Sequence, residues 1–122
     1  MHINHLHLCS TDVPATAAFL CEHFGFSLLA ARATRAFAAL EDDSGLSLVL
    51  MPLPPGEAHP QMFHLGFLLD HEAEVIAQHA RLVQSGAYLA PLERSRGALR
   101  FYCRAPGGLL IEVGQAGPGS GG

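Results

Sequence analysis

The chain contains no lysine. Its seven basic residues are all Arg, set against eleven acidic ones, so the net charge is −4 and charged residues are only 15% of the 122. A broad basic surface able to follow a nucleic-acid backbone is thereby absent, and no nucleic-acid partner is expected. Arg94, Arg96, Arg100 and Arg104 do fall close together. Pointing into a cavity they could hold an anionic group, whereas alternating out of a strand they are solvated surface. Cysteine is also sparse. Cys9, Cys21 and Cys103 are odd in number, widely spaced and set in apolar runs, which counts against a disulfide framework or a zinc knuckle and leaves buried free thiols. No apolar run is long enough to span a bilayer, and the first residues lack the regions of a secretory signal. A cytoplasmic protein without a membrane partner is the expectation.

What the chain has is apolar material and an internal echo. Hydrophobic residues make up 49% of it, ample for the core of one domain. His5-Leu6-His7-Leu8 runs on to Asp12, and His64-Leu65-Gly66-Phe67 runs on to Asp70. Each run leads into an alanine-containing helical pattern that stops at a glycine, Gly25 or Gly86. Each copy later reaches a Gly before an aliphatic strand, Gly45 before Leu46–Leu50 and Gly108 before Leu109–Val113. Two copies of one unit pack most simply about a pseudo-twofold axis.

The first module, residues 1–51, reads as a strand over 2–9 with His5, His7 and Cys9 on one face, then a helix from about Pro14 to His23 begun by Ser10-Thr11-Asp12 and Pro14. Strands over Phe26–Ala33, Arg35–Leu40 and Leu46–Met51 follow, the last two joined by a polar turn at Glu41–Gly45. Residues 52–60, with four prolines, form a stiff linker. The second module, 61–115, reads as a strand Gln61–Leu69, a helix Glu72–Ser85 with Val75, Ile76, His79, Leu82 and Val83 as its inner stripe, and strands over Tyr88–Pro91, Leu99–Cys103 and Leu109–Gly114. The Gly/Ser/Pro tail 116–122 is expected to be disordered. The resulting fold class is α+β: two βαβββ modules giving one curved, eight-stranded mixed sheet with helices behind it and a concave face suited to a small molecule. Phe63, Phe67, Phe101 and Leu110 are the expected apolar lining of that cup.

Three residues carry the chemistry. The repeat makes His5 and His64 equivalent, and Glu112 equivalent to Val49. Glu112 interrupts Leu109-Leu110-Ile111 and Val113, and a lone carboxylate in so apolar a strand is costly unless it is paired or binds a cation. Two imidazoles and one carboxylate meeting at a point form a site for a divalent first-row metal that leaves positions for water or substrate. His7 shares the face of His5 and reads as a proton carrier or as the ligand in its place, with the equivalence to His64 favouring His5. Tyr102, on the strand expected to hairpin with that of Glu112, can serve as hydrogen-bond donor or acid.

With those residues in place, the plan resembles the vicinal oxygen chelate superfamily, which includes glyoxalase I, bleomycin-resistance proteins, fosfomycin-resistance thiol transferases and extradiol dioxygenases. The resemblance spans residues 2–115. It rests on His5-Leu-His-Leu with Asp12 and Phe24-Gly25-Phe26, and above all on Phe101-Tyr102-Cys103-Arg104-Ala105-Pro106-Gly107-Gly108-Leu109-Leu110-Ile111-Glu112. The resemblance implies His5, His64 and Glu112 as metal ligands and Tyr102 as an active-site tyrosine. The first module has Leu46–Leu50 where glyoxalase I places a fourth ligand, and residues 93–100 lack the further His of extradiol enzymes. The reading is therefore a divalent-metal enzyme, most nearly dioxygenase-like, using Fe2+ or Mn2+, with Zn2+ or Ni2+ as further options, on a small oxygen-chelating substrate. A metal-free protein that sequesters a small molecule such as an antibiotic is the alternative, and a thiol transferase or lyase the third. Exposed sheet edges imply a homodimer, with modules exchanged between chains or not.

Overall fold

Both helices start and stop where the local chemistry directs. The computed structural model describes residues 1–29 and 33–117, and its first elements are β1 (His5–Ser10) and α1 (Val13–His23). The Asp12 carboxylate accepts the Ala15 N–H at 3.1 Å and Pro14 occupies the first turn, a cap of the expected kind. The helix buries Val13, Thr16, Ala17, Phe19 and Leu20, while Ala18 is exposed. Then come β2 (Ser27–Leu28), β3 (Ala38–Glu41) and β4 (Ser47–Pro52). The strand expected over Phe26–Ala33 is two residues long, with 30–32 outside the described residues. The next begins at Ala38, not Arg35, because Thr34 bends the chain first: its N–H donates to the Phe37 carbonyl at 2.8 Å and its hydroxyl oxygen accepts the Phe37 N–H at 3.1 Å. At the β3–β4 turn the Asp42 carboxylate accepts the N–H groups of Ser44 and Leu46 and the Ser44 hydroxyl, at 2.8–2.9 Å. Desolvation pushes this carboxyl up, but those hydrogen bonds to its charged form outweigh it and leave it below its ordinary pKa.

The second half supplies β5 (His64–Leu69), α2 (Glu72–Ser85), β6 (Tyr88–Leu89), β7 (Glu93–Ser95), β8 (Ala98–Arg104) and β9 (Leu110–Gln115). The ends of α2 are those read from the sequence. Glu74 accepts the His71 N–H at 3.1 Å at one end, and Gly86 takes a left-handed conformation (φ 79°) at the other. Its inner stripe is narrower than expected. Val75, Gln78 and Leu82 are buried, but Ile76 and Val83 are 47% and 56% exposed. Each lies one residue, or about 100°, beyond the line through 75, 78 and 82, so a helix resting on one sheet leaves it to solvent. Strand β7 was not anticipated. It forms because Arg96 and Gly97 both take positive φ (55° and 81°), closing a two-residue hairpin onto β8.

The chain divides into two compact units. Unit 1 comprises Met1–Pro60 and Pro106–Leu109, and unit 2 comprises Gln61–Ala105 and Leu110–Gly122, of which 118–122, including most of the tail expected to be disordered, lie outside the described residues. In unit 1 the sheet order is β1-β4-β3-β2, with β1 and β4 parallel. Leu8, Ala38, Leu40, Leu48 and Leu50 from the strands join Phe19 and Leu20 from α1 in its core. The linker is tied into this unit: Leu53 N–H donates to the Ser10 carbonyl at 2.9 Å and His59 Nε2–H to the Cys9 carbonyl at 2.7 Å. In unit 2 the order is β5-β9-β8-β6, with β7 also on β8 and β5 parallel to β9. Val75 and Leu82 of α2 are buried with Leu99, Phe101, Cys103, Ile111 and Val113. The α+β class and module order are as expected. The strands among the described residues number nine, in two open mixed sheets of four and five, where one sheet of eight was read.

Residues Pro106–Leu109 belong to unit 1 although the strands on both sides of them belong to unit 2. The Thr11 N–H donates to the Gly107 carbonyl at 3.0 Å. Thr16, fully buried, accepts from the Ser10 hydroxyl at 2.7 Å and donates to the Pro106 carbonyl, while Ser10 in turn accepts the Asp12 N–H at 2.9 Å. No described helix is long and apolar enough to cross a membrane.

Candidate functional site

Register decides which side chains meet. In unit 2, β8 pairs with β9 so that Tyr102 stands opposite Glu112 and Arg100 opposite Gly114. On the other side of β9, Gly66 stands opposite Glu112 and His64 opposite Leu110. Side chains two apart on a strand share a face. His64, Gly66 and Leu68, Arg100 and Tyr102, and Leu110 and Glu112 thus lie on the face away from the buried Phe101, Cys103, Ile111 and Val113. Phe101, expected to line the cup, is fully buried on the core side, with its ring 4.9 Å from that of His79. Phe67, also expected in the lining, falls on the same side as Leu65 and Leu69, away from His64.

On this face the predicted residues His64, Tyr102 and Glu112 come together. His64 Nε2 lies 3.9 Å from Glu112 Oε1, too far for a hydrogen bond. The rings of His64 and Tyr102 meet edge-on at 5.7 Å. His64 Nδ1 lies 2.8 Å from the Met62 carbonyl. A carbonyl only accepts, so Nδ1 carries a proton and Nε2 is the ring nitrogen that faces Glu112. The two side chains are 30% and 24% exposed, accessible to a ligand yet partly shielded. Burial foremost, then a hydrogen bond to Glu112 and its negative charge, raise the Tyr102 hydroxyl above its ordinary pKa, with Arg100 opposing. Tyr102 therefore keeps its proton and can donate it.

Arg100 completes the group, and as a site residue it was not anticipated. Its Nη1 donates to Glu112 Oε2 at 3.3 Å, its Nε donates to Glu93 Oε1 at 3.0 Å, and its Cζ lies 5.5 Å from the centre of the Tyr102 ring. The Glu93 hydrogen bond is the main reason its pKa is raised. The Glu112 carboxylate, which the sequence marked as needing a partner, has one. A shallow cavity of about 140 Å³ adjoins it, lined in part by Leu68, Ala98, Arg100, Glu112, Gly114 and Gln115. The signal for Arg100 was its spacing: two residues before Tyr102, it shares that residue's face once the β8–β9 register is known.

In unit 1, β1 pairs with β4 so that His5 stands opposite Ser47 and His7 opposite Val49. This offset matches that of β5 on β9. His5 is thus the counterpart of His64, Val49 of Glu112, and His7 of Gly66. His5 and His7 are exposed side by side, with ring centroids 6.3 Å apart. His5 Nδ1 lies 2.7 Å from Asn4 Oδ1, so its Nε2, like that of His64, is left open. A cavity of about 370 Å³ lined by Thr11, Asp12, Val13, Pro14 and Arg35 also belongs to this unit and contains none of the predicted residues.

The fit of a metal ion rests on this donor set. Two ligands about 2.0–2.2 Å from one ion can stand at most about 4.4 Å apart, and the His64–Glu112 pair falls within that span. Among the described residues no group of three His, Cys, Asp or Glu side chains is close enough to hold an ion. The structure brings two of the predicted donors together, and the third, His5, belongs to unit 1.

Comparison with known proteins places this arrangement in a family. Residues 2–113 match the model of the Glyoxalase/Bleomycin resistance protein/Dioxygenase superfamily. A solved structure described as a possible glyoxalase from Bacillus cereus is 36% identical, with 93% of this chain and 97% of that one covered and a TM-score of 0.81. The fold is shared with lactoylglutathione lyase from Agrobacterium tumefaciens (21% identity, 93% and 92% covered, TM-score 0.71). It is also shared with the fosfomycin resistance protein FosX from Listeria monocytogenes (19% identity, 94% and 93% covered, TM-score 0.78). No curated protein matches the chain. The chain belongs to the glyoxalase/bleomycin resistance protein/dioxygenase superfamily.

Proposed function

We propose that the protein is a divalent-metal-dependent enzyme, dioxygenase-like in its chemistry, acting on a small substrate that offers two neighbouring oxygens. The observation that carries this reading is the His64–Glu112 pair: an imidazole whose Nδ1 is held by the Met62 carbonyl and whose Nε2 lies 3.9 Å from a carboxylate oxygen on the same sheet face. Imidazole and carboxylate together suit Fe2+ or Mn2+, with Zn2+ or Ni2+ next. In this reading His64, Glu112 and His5 hold the ion, which when bound supplies Lewis acidity to polarise the substrate oxygens. Tyr102 donates a hydrogen bond to a substrate oxygen, and His7 moves protons. A second copy of the chain, module-swapped or not, covers the exposed edge strands β1 and β5. Both stand at the end of their sheets, and β5 has no fully buried residue. Elemental analysis of protein purified without added metal is expected to show near-stoichiometric divalent metal, lost in Glu112→Ala. Absence of metal from both samples, with no uptake from added Fe2+ or Mn2+, overturns the reading. A catechol panel offered to Fe2+-loaded protein under oxygen then tests the reaction class.

One observation favours the metal-free alternative, a protein that binds and sequesters a small molecule. Arg100 already pairs with Glu112, and a carboxylate so paired has less electrostatic need of a cation. Ligand binding that persists unchanged in Glu112→Ala would support that reading.

A further inference from the structure

The two oxygens of Glu112 have different neighbours. Oε2 accepts from Arg100 Nη1 at 3.3 Å, while Oε1 faces His64 Nε2 at 3.9 Å. Arg100 is itself held from behind. Strand β7 lies antiparallel to β8 with Glu93 directly opposite Arg100, and Glu93 Oε1 accepts from its Nε at 3.0 Å. On the other side Arg100 stands opposite Gly114, whose missing side chain leaves the diagonal from Arg100 to Glu112 open. Gly66, opposite Glu112, places no side chain beside Oε1, and even a Cβ there would stop 3.9 Å short of that oxygen. The chain of contacts is therefore Glu93 to Arg100 to Oε2, with Tyr102 also hydrogen-bonded to the carboxylate and Oε1 the oxygen that faces His64.

We propose that Arg100 is a positioning residue that fixes how Glu112 ligates. By occupying Oε2 it makes the carboxylate a one-oxygen ligand through Oε1. Glu93, delivered by the tight Arg96-Gly97 hairpin, keeps Arg100 in place. An unrestrained carboxylate can grip a divalent ion with one oxygen or two, and a group bonded to a ligand commonly sets which. With Oε2 engaged in a charge-assisted hydrogen bond, one coordination position stays open for a substrate that chelates through two atoms. The inference rests on the metal reading given above.

The test uses the full-length protein titrated with Co2+, whose visible spectrum reports coordination number. The unaltered protein is expected to bind Co2+ with the stronger absorption of low coordination. Arg100→Gln frees Oε2, so the absorption weakens as the carboxylate adds a second bond, and Co2+ affinity changes by about 10–100-fold. Arg100→Lys keeps a cation within reach of Oε2 and restores the original spectrum in part. Glu93→Gln, which touches Arg100 and not Glu112, falls between the two and decides the matter if Arg100→Gln does not fold. Variants that bind Co2+ with the parent's spectrum and affinity overturn the role of Arg100 alone. A parent that takes up no Co2+ overturns the metal reading and this inference with it.

Discussion

Replacing Gly107 by alanine is the sharpest test of how the Pro106–Leu109 turn is held. Gly107 has φ +93°, where an L-residue is strained, and a Cβ built on it would lie well inside van der Waals contact of Ser10 Oγ and Thr16 Oγ1 and 3.2 Å from Asp12 N. Both hydroxyls are fully buried and committed to hydrogen bonds, so neither can swing away. If the turn stays, alanine bears the left-handed backbone, about 1–2 kcal/mol, and the overlap, about 1–3 kcal/mol. If the turn lifts, the Thr11 N–H loses the Gly107 carbonyl and Thr16 Oγ1 loses that of Pro106, keeping only that of Asp12, at about 0.5–1.5 kcal/mol for each bond, and the packing of the turn against Ser10 and Thr16 goes with them. Either route gives about 3 kcal/mol, a large share of the 5–15 kcal/mol typical of whole domains. Gly97→Ala is the control: its φ of +81° is similar, but nothing lies within 4 Å of the added Cβ, which leaves the backbone strain of about 1 kcal/mol. In thermal melts, at roughly 4 °C per kcal/mol for a chain of this size, Gly107→Ala should fall by about 12 °C and Gly97→Ala by about 4 °C. Equal losses in the two variants would refute the argument that the turn is packed rather than merely bent.

Two further outcomes follow from burial. Leu82, fully buried, and Val83, 56% exposed, are neighbours on α2; Leu82→Ala should destabilise by about 2–5 kcal/mol and Val83→Ala by no more than about 0.5 kcal/mol, read as urea midpoints, and similar losses would contradict the narrow stripe. Burial pushes the Cys103 thiol up to about 11 from 9.0. The unfolded thiol therefore ionises first, so this contribution to stability is whole below pH 9 and fades as pH rises toward 11. Cys103→Ala should flatten that alkaline decline, and native Cys103 should resist a thiol reagent at pH 8 that labels it in urea.

The parts of the fold legible in the sequence were those written locally. The 72–85 span of α2 lies between an acidic first turn and Gly86, and both marks act within a few residues. The equivalence of His5 with His64, and of Glu112 with Val49, follows from one repeated offset and reappears as strand register. What escaped depends on contacts between distant residues. Strand β7 is three residues long and owes its existence to the Arg96-Gly97 turn, whose positive φ at an arginine no propensity announces. Arg100 was visible only as one of several clustered arginines. Its bond to Glu112 requires knowing that the turn after Arg104 places Tyr102, and not a neighbour, opposite Glu112. A shift of one residue would have turned Arg100 to the other face. The lining assigned to Phe101 failed for the same reason, since its parity on β8 sends it toward α2.

The turn at Pro106–Leu109 also sets an order of events. Thr11 and Thr16 leave the ribosome some ninety positions before the carbonyls of Pro106 and Gly107 that receive them. Until then the Thr11 N–H lacks its carbonyl, and Thr16 has only its local partners Ser10 and Asp12. The opening half of the polypeptide can shape its strands and helix early but closes this corner last, so a gene cut after residue 60 would encode a fragment missing a piece of its own interior.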